Sequence, residues 1–87
     1  EPAFTEAYIE RAALLMQQRN PDWEQALEDL NTALRISPNH PLALTNRGYL
    51  YIHFYQDTQQ ACADWKEVQN MGFPIADALL EKHCKNR

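Results

Sequence analysis

With 87 residues the chain has the length of one domain and a small core, with little stability to spare. Hydrophobic residues at 45% and charged residues at 23% fit an ordinary soluble fold, and two glycines leave little room for a flexible linker. A net charge of −4 with a pI near 5.2 disfavours nucleic acid or an anionic membrane as partner. No apolar run reaches the roughly 18–20 residues that span a bilayer, so no membrane insertion is expected. The chain begins with Glu1 and shows no signal peptide. It reads as a piece of a longer protein, with any targeting segment elsewhere.

Residues 3–19 carry Phe4, Tyr8, Ala12 and Leu15 at helical spacing, without an interrupting glycine or proline. Asn20-Pro21-Asp22 breaks this first helix, and Asp22 with Gln25 is a variant of the capping box that starts the next. The second helix runs to about Ile36, with Trp23, Ala26, Leu27, Leu30, Ala33 and Leu34 as its buried stripe. Prolines at 38 and 41 end it. A third helix spans about Leu42–Tyr55, and Gly48 at its middle costs about 1 kcal/mol of helix propensity. Close approach of another helix explains that glycine better than flexibility does. Asp57 with Gln60 starts a fourth helix, about 58–71, which Gly72 caps. Pro74 opens a last helix, 74–86, with Ile75, Ala78, Leu79 and His83 along one face.

The second and fourth helices are near-copies. Asp22, Gln25, Ala26, Asp29, Leu30 and Ala33 recur as Asp57, Gln60, Ala61, Asp64, Trp65 and Val68, each at an offset of 35 residues. Repetition at that period means stacked helical hairpins rather than one core with a built-in active site. Arg11 and Arg47 recur with Asp29 and Asp64, which suggests ion pairs inside each repeat that fix its register, with anion binding the weaker alternative. Trp23 and Trp65 are expected to be core or hairpin-contact residues.

Ala26-x3-Leu30 with Pro38, and Gly48-x2-Tyr51 with Ala61-x3-Trp65, resemble the tetratricopeptide repeat. The resemblance covers about residues 5–85. It implies an all-α superhelix of two helix-turn-helix repeats, about 5–38 and 41–73, closed by a capping helix at about 74–85. Phe73 stands where the first repeat has Pro38, and the turns inside the repeats are one or two residues longer than usual. The ending is also similar to Sel1-like repeats and to terminal repeats of exported bacterial proteins.

In that family the first helix of each repeat lines a groove for a partner's peptide segment. Carried over by position, the groove set is Glu10, Ala13 and Gln17 in repeat one and Asn46, Tyr49 and His53 in repeat two, with Ile9, Thr45 and Ile52 flanking. Both sets are spaced i, i+3, i+7 and so form stripes. Tyr49 is the expected anchor, the competing reading being that it packs on the last helix. A clamp for chaperone tails is disfavoured, because Asn46 alone cannot neutralise a carboxylate where Ile9 and Ala13 replace Lys and Asn. The alternative role is structural or self-associating, through an apolar patch around Phe4, Tyr8 and Ile9 or as the end of a longer solenoid. A regulatory segment of an enzyme encoded elsewhere is a third.

Cys62 and Cys84 bracket the turn at Gly72–Phe73, ten residues before and twelve after the glycine. Antiparallel packing would bring them to one level, within the roughly 7 Å that a disulfide tolerates. Two readings stand: a disulfide in an exported protein, or two reduced thiols in a cytoplasmic one. A zinc site from Cys62, His83 and Cys84 would lack a fourth ligand. His53, Tyr49 and Asp57 sketch an acid–base cluster without a nucleophile. No phosphate loop, C-x-x-C, H-E-x-x-H or G-x-S-x-G motif occurs. The expectation is a non-catalytic module that uses no cofactor or metal and binds a protein or peptide.

Overall fold

Prolines and aspartates set the helix starts. The computed structural model describes residues 2–85 as α1 (Pro2–Gln17), α2 (Trp23–Ile36), α3 (Pro41–Phe54), α4 (Thr58–Asn70) and α5 (Pro74–His83), with no strand among them. The carboxylates of Asp22 and Asp57 accept the backbone N–H of Gln25 and Gln60, each at 3.1 Å. Pro41 and Pro74 take the first turn of α3 and α5, where a missing N–H costs no helical bond. Gly72, at φ +90°, ends α4, and the Phe73 N–H returns to the Val68 carbonyl at 3.4 Å.

Two helices are shorter than expected. The first stops at Gln17 rather than Arg19, because Pro21 keeps Asn20 out of helical backbone and the Asp22 N–H folds back to the Leu15 carbonyl at 3.3 Å. The last stops at His83, where the Cys84 N–H closes on the Leu80 carbonyl at 2.8 Å. Asn86, the expected end of that helix, lies outside the described residues.

The packing is that of stacked hairpins. Helix α1 lies on α2, α2 on α3, α3 on α4 and α4 on α5, while α1 also meets α3. The main core gathers Ile9, Ala12, Ala26, Leu30, Ala33, Leu44, Leu50 and Val68. A second cluster surrounds Trp65 with Ala61 and Leu79. Gly48 marks the close approach that the sequence implied: a Cβ built there would lie 2.6 Å from Trp65 Cε2. The Trp65 indole N–H donates to the Thr45 carbonyl at 3.2 Å, so the ring is held against α3. Trp23 is half-buried and stacks on Phe54, ring centroids 3.6 Å apart.

The recurring arginines and aspartates pair within each hairpin. Arg11 donates through Nε and Nη2 to Asp29, both at 2.7 Å. Arg47 does the same to Asp64 at 2.8 Å, and its Nη1 reaches Asn31 of α2 at 2.8 Å. Asp29 and Asp64 are buried, and hydrogen bonding to them raises both guanidinium pKa values above the usual arginine value. Arg47 thus joins three helices, whereas Arg11 joins two.

Three expected placements change. Ile9, assigned to the groove's flank, is buried; Thr45 is largely buried too, its hydroxyl donating to the Pro41 carbonyl at 2.8 Å, but it keeps a place at the edge of the concave face. That also shrinks the apolar patch on α1, since Tyr8 is half-buried and Phe4 alone of the three stays exposed. On α5 the buried side carries Ala76 and Leu79, while Ile75 and Ala78 face outward. Ala76, Leu80 and Cys84 recur every fourth residue, so the cysteine's position beside Cys62 of α4 sets the rotation of the helix.

Candidate functional site

Between α1 and α3 lies a concavity of about 320 Å³. Five of the six residues expected to line a groove surround it: Ala13 and Gln17 from α1, and Asn46, Tyr49 and His53 from α3. Glu10 is exposed but lies outside this lining. Met16 and Phe54 complete the wall and were not anticipated. Met16 follows Ala13 by three residues and was available from the stripe. Phe54 owes its place to the stacked Trp23 ring of α2, a contact that spacing within α3 cannot reveal.

A second concavity, about 390 Å³, opens on the other side of Asn46 and Tyr49, towards the start of α5. Leu42, Thr45, Val68, Phe73 and Ile75 line it. Leu42, Phe73 and Ile75 keep 50%, 43% and 52% of their surface in water, an unusual density of solvated apolar area for one patch. Asn46 and Tyr49 therefore stand on a ridge shared by two apolar hollows.

The Tyr49 ring meets Trp65 of α4 edge-on, centroids 5.9 Å apart, and lies near-parallel to His53 at 6.0 Å. It therefore packs on α4, against the Trp65 cluster that Leu79 of the last helix also joins. His53 in turn meets His83 at 5.9 Å, and His83 lies 5.3 Å from Trp65. Asp57, the third member of the sketched acid–base cluster, uses its carboxylate to cap α4. This arrangement can hold apolar side chains on either side of an amide and a phenol.

Burial lowers the His83 pKa below the ordinary histidine value of about 6.5, and the charges of Lys82 and His53 lower it further. A depressed folded-state pKa means that the unfolded chain takes up the proton first. The stability that neutral His83 contributes is full above about pH 6.5 and is lost as the pH falls through the folded value. Thermal melts at pH 7 and pH 5 should show a larger drop for the native chain than for His83→Gln. Equal drops would refute this.

Cys62 and Cys84 stand at disulfide distance, with Cα atoms 6.0 Å apart. That pairing takes both sulfurs that a zinc set with His83 would need. Among the described residues no group of three or more His, Cys, Asp or Glu is placed to hold a metal ion. None of the described helices is long and apolar enough to cross a membrane. A larger depression, about 630 Å³, lies over the two cysteines, but Lys66, Glu81 and Lys85 line it and favour water over an apolar ligand.

Residues 22–52, from the cap of α2 to Ile52 of α3, match a family model described as a TPR repeat. No curated protein and no solved structure matches the chain.

Proposed function

We propose that the chain, whose residues 22–52 match the tetratricopeptide-repeat family model, binds a partner's peptide segment on the concave face formed by α1, α3 and the start of α5. The repeat itself speaks for protein–protein interaction. The finer reading rests on one observation, the two apolar hollows that meet at Asn46 and Tyr49. A peptide crossing the ridge would place apolar side chains in both hollows, with Asn46 and the Tyr49 hydroxyl offered to its backbone. A repeat of this family is typically a non-catalytic interaction module, which favours a reading of binding rather than catalysis. The self-association alternative has a narrower base now that Ile9 belongs to the core.

Random peptides displayed and selected on the chain provide the test. For the enriched sequences, Tyr49→Ala should weaken binding about 30-fold, the scale of a buried aromatic anchor worth roughly 2 kcal/mol. Asn46→Ala should cost about five- to tenfold, as for one net hydrogen bond. Helicity by circular dichroism should stay unchanged in both. Peptides that bind both variants as they bind the native chain would remove the groove assignment.

A further inference from the structure

We propose that the Cys62–Cys84 pair is a redox latch on α5, and that the latch decides whether the α5 wall of the groove exists. The second half of this proposal rests on the groove reading; the first does not.

The latch follows from how little else holds α5. Its ten residues fall below the length at which an isolated helix sustains itself. It packs chiefly on α4, burying Ala76 and Leu79 with Leu80 half-buried beside them. The His83 ring rests near Trp65, and one exposed hydrogen bond, from Gln69 to Asp77 at 3.0 Å, adds to these. The Gly72 turn ties its start to α4. Cys84, the residue after its last turn, faces Cys62 in the first half of α4 with Cα atoms 6.0 Å apart. Oxidised, the helix is pinned at both ends; reduced, it is pinned at one. Both cysteines line the same solvent-facing depression, where a small thiol can reach them.

The consequence reaches the other side of the helix. Ile75 of α5 and Phe73 before it form one wall of the second hollow, against Leu42 of α3. Release of α5 would dissolve that wall and uncover Trp65, leaving the α1–α3 hollow in place. The chemistry needs a dithiol as reductant. Its thiolate attacks one Sγ to form a mixed disulfide and releases the other cysteine as a thiolate; the second thiol then attacks the dithiol's own sulfur in that mixed disulfide and releases the first cysteine. Two electrons and two protons pass to Cys62 and Cys84, and the dithiol leaves as a cyclic disulfide.

Amide hydrogen exchange on the whole chain, oxidised and in dithiothreitol, tests the latch, with the double variant C62S/C84S as a reductant-free control. On reduction, protection across residues 76–84 should fall at least tenfold while α1–α4 change less than twofold, and reoxidation should restore it. Unchanged α5 protection overturns the latch, and so does equal loss in α1–α4, since the pair would then support the whole fold. Peptides selected on the oxidised chain should bind the reduced chain at least tenfold more weakly. Full binding with α5 released overturns the claim that α5 builds part of the site. A selection that yields no Tyr49-dependent peptide refutes the groove reading, and with it the second half of the proposal, while hydrogen exchange decides the first.

Discussion

Trp65→Ala is expected to remove roughly 3–5 kcal/mol of folding stability, against the roughly 4–13 kcal/mol open to a domain of this size. Trp65 has no exposed surface and is shared by three elements. Its ring fills the space above Gly48, its N–H holds the Thr45 carbonyl, and its faces meet Tyr49 of α3 and His83 of α5. Truncation would leave a cavity that no neighbour can close without moving a helix. Gly48 supplies a sharper diagnostic through the sign of its effect. In the native chain Gly48→Ala gains about 1 kcal/mol of helix propensity. It also drives a Cβ to 2.6 Å from Cε2 and 2.8 Å from Cδ1 of a ring that cannot yield. Overpacking of that kind costs typically 1–3 kcal/mol, so the net effect is a loss. With Trp65→Ala already made, the clash is gone and the same substitution should stabilise. Urea unfolding of the two single variants and the double variant reads both signs. A loss in both backgrounds would show that the glycine is needed for its backbone and not for the indole.

Arg47→Ala should cost about 3 kcal/mol or more, because it leaves the Asp64 carboxylate buried without its cation. Side-chain exposures of 23% for Arg47 and 6% for Asp64 place this pair well inside the protein, where solvent screens little. The guanidinium also holds Asn31 and lies 5.8 Å from the centre of the Tyr51 ring, so its loss loosens the seam between the hairpins. Arg47→Lys keeps the charge but cannot make the two-pronged bond, and should recover only part of the loss. Replacing both partners by apolar residues of similar size should cost far less than either single change. With a urea dependence of about 1 kcal/mol per M, the Arg47→Ala midpoint falls by about 3 M. A shift under about 0.5 M would mean that water reaches Asp64 once the arginine is gone.

The sequence alone carried much of this architecture, because local chemistry wrote it. The 35-residue offset, the aspartate caps at 22 and 57, the prolines at 41 and 74 and the glycine at 72 act within a few residues of themselves, and each does in the fold what its chemistry dictates. The recurring arginines and aspartates were legible too, since copies at one offset must meet the same neighbour in each hairpin. Rotation of a terminal helix was not. Periodicity along α5 allowed Ile75 and Ala78 as the inner face; Ala76, Leu80 and Cys84 against α4 decided otherwise. A helix with neighbours on several sides has its angle fixed by all of them, whereas one packed on a single side turns to suit its strongest contact.

The candidate site divides in the same way. The stripes Ala13–Gln17 and Asn46–Tyr49–His53 follow from 3.6-residue geometry, and the sequence by itself determined that these residues share faces. Only tertiary structure decided that Glu10 stays outside, that Phe54 enters on the back of Trp23, and that Leu42, Phe73 and Ile75 join from separate segments to form a second hollow. The reason is physical: a helix face is set by the period of one chain segment, but a hollow is the space left between segments, and its walls exist only once those segments have packed.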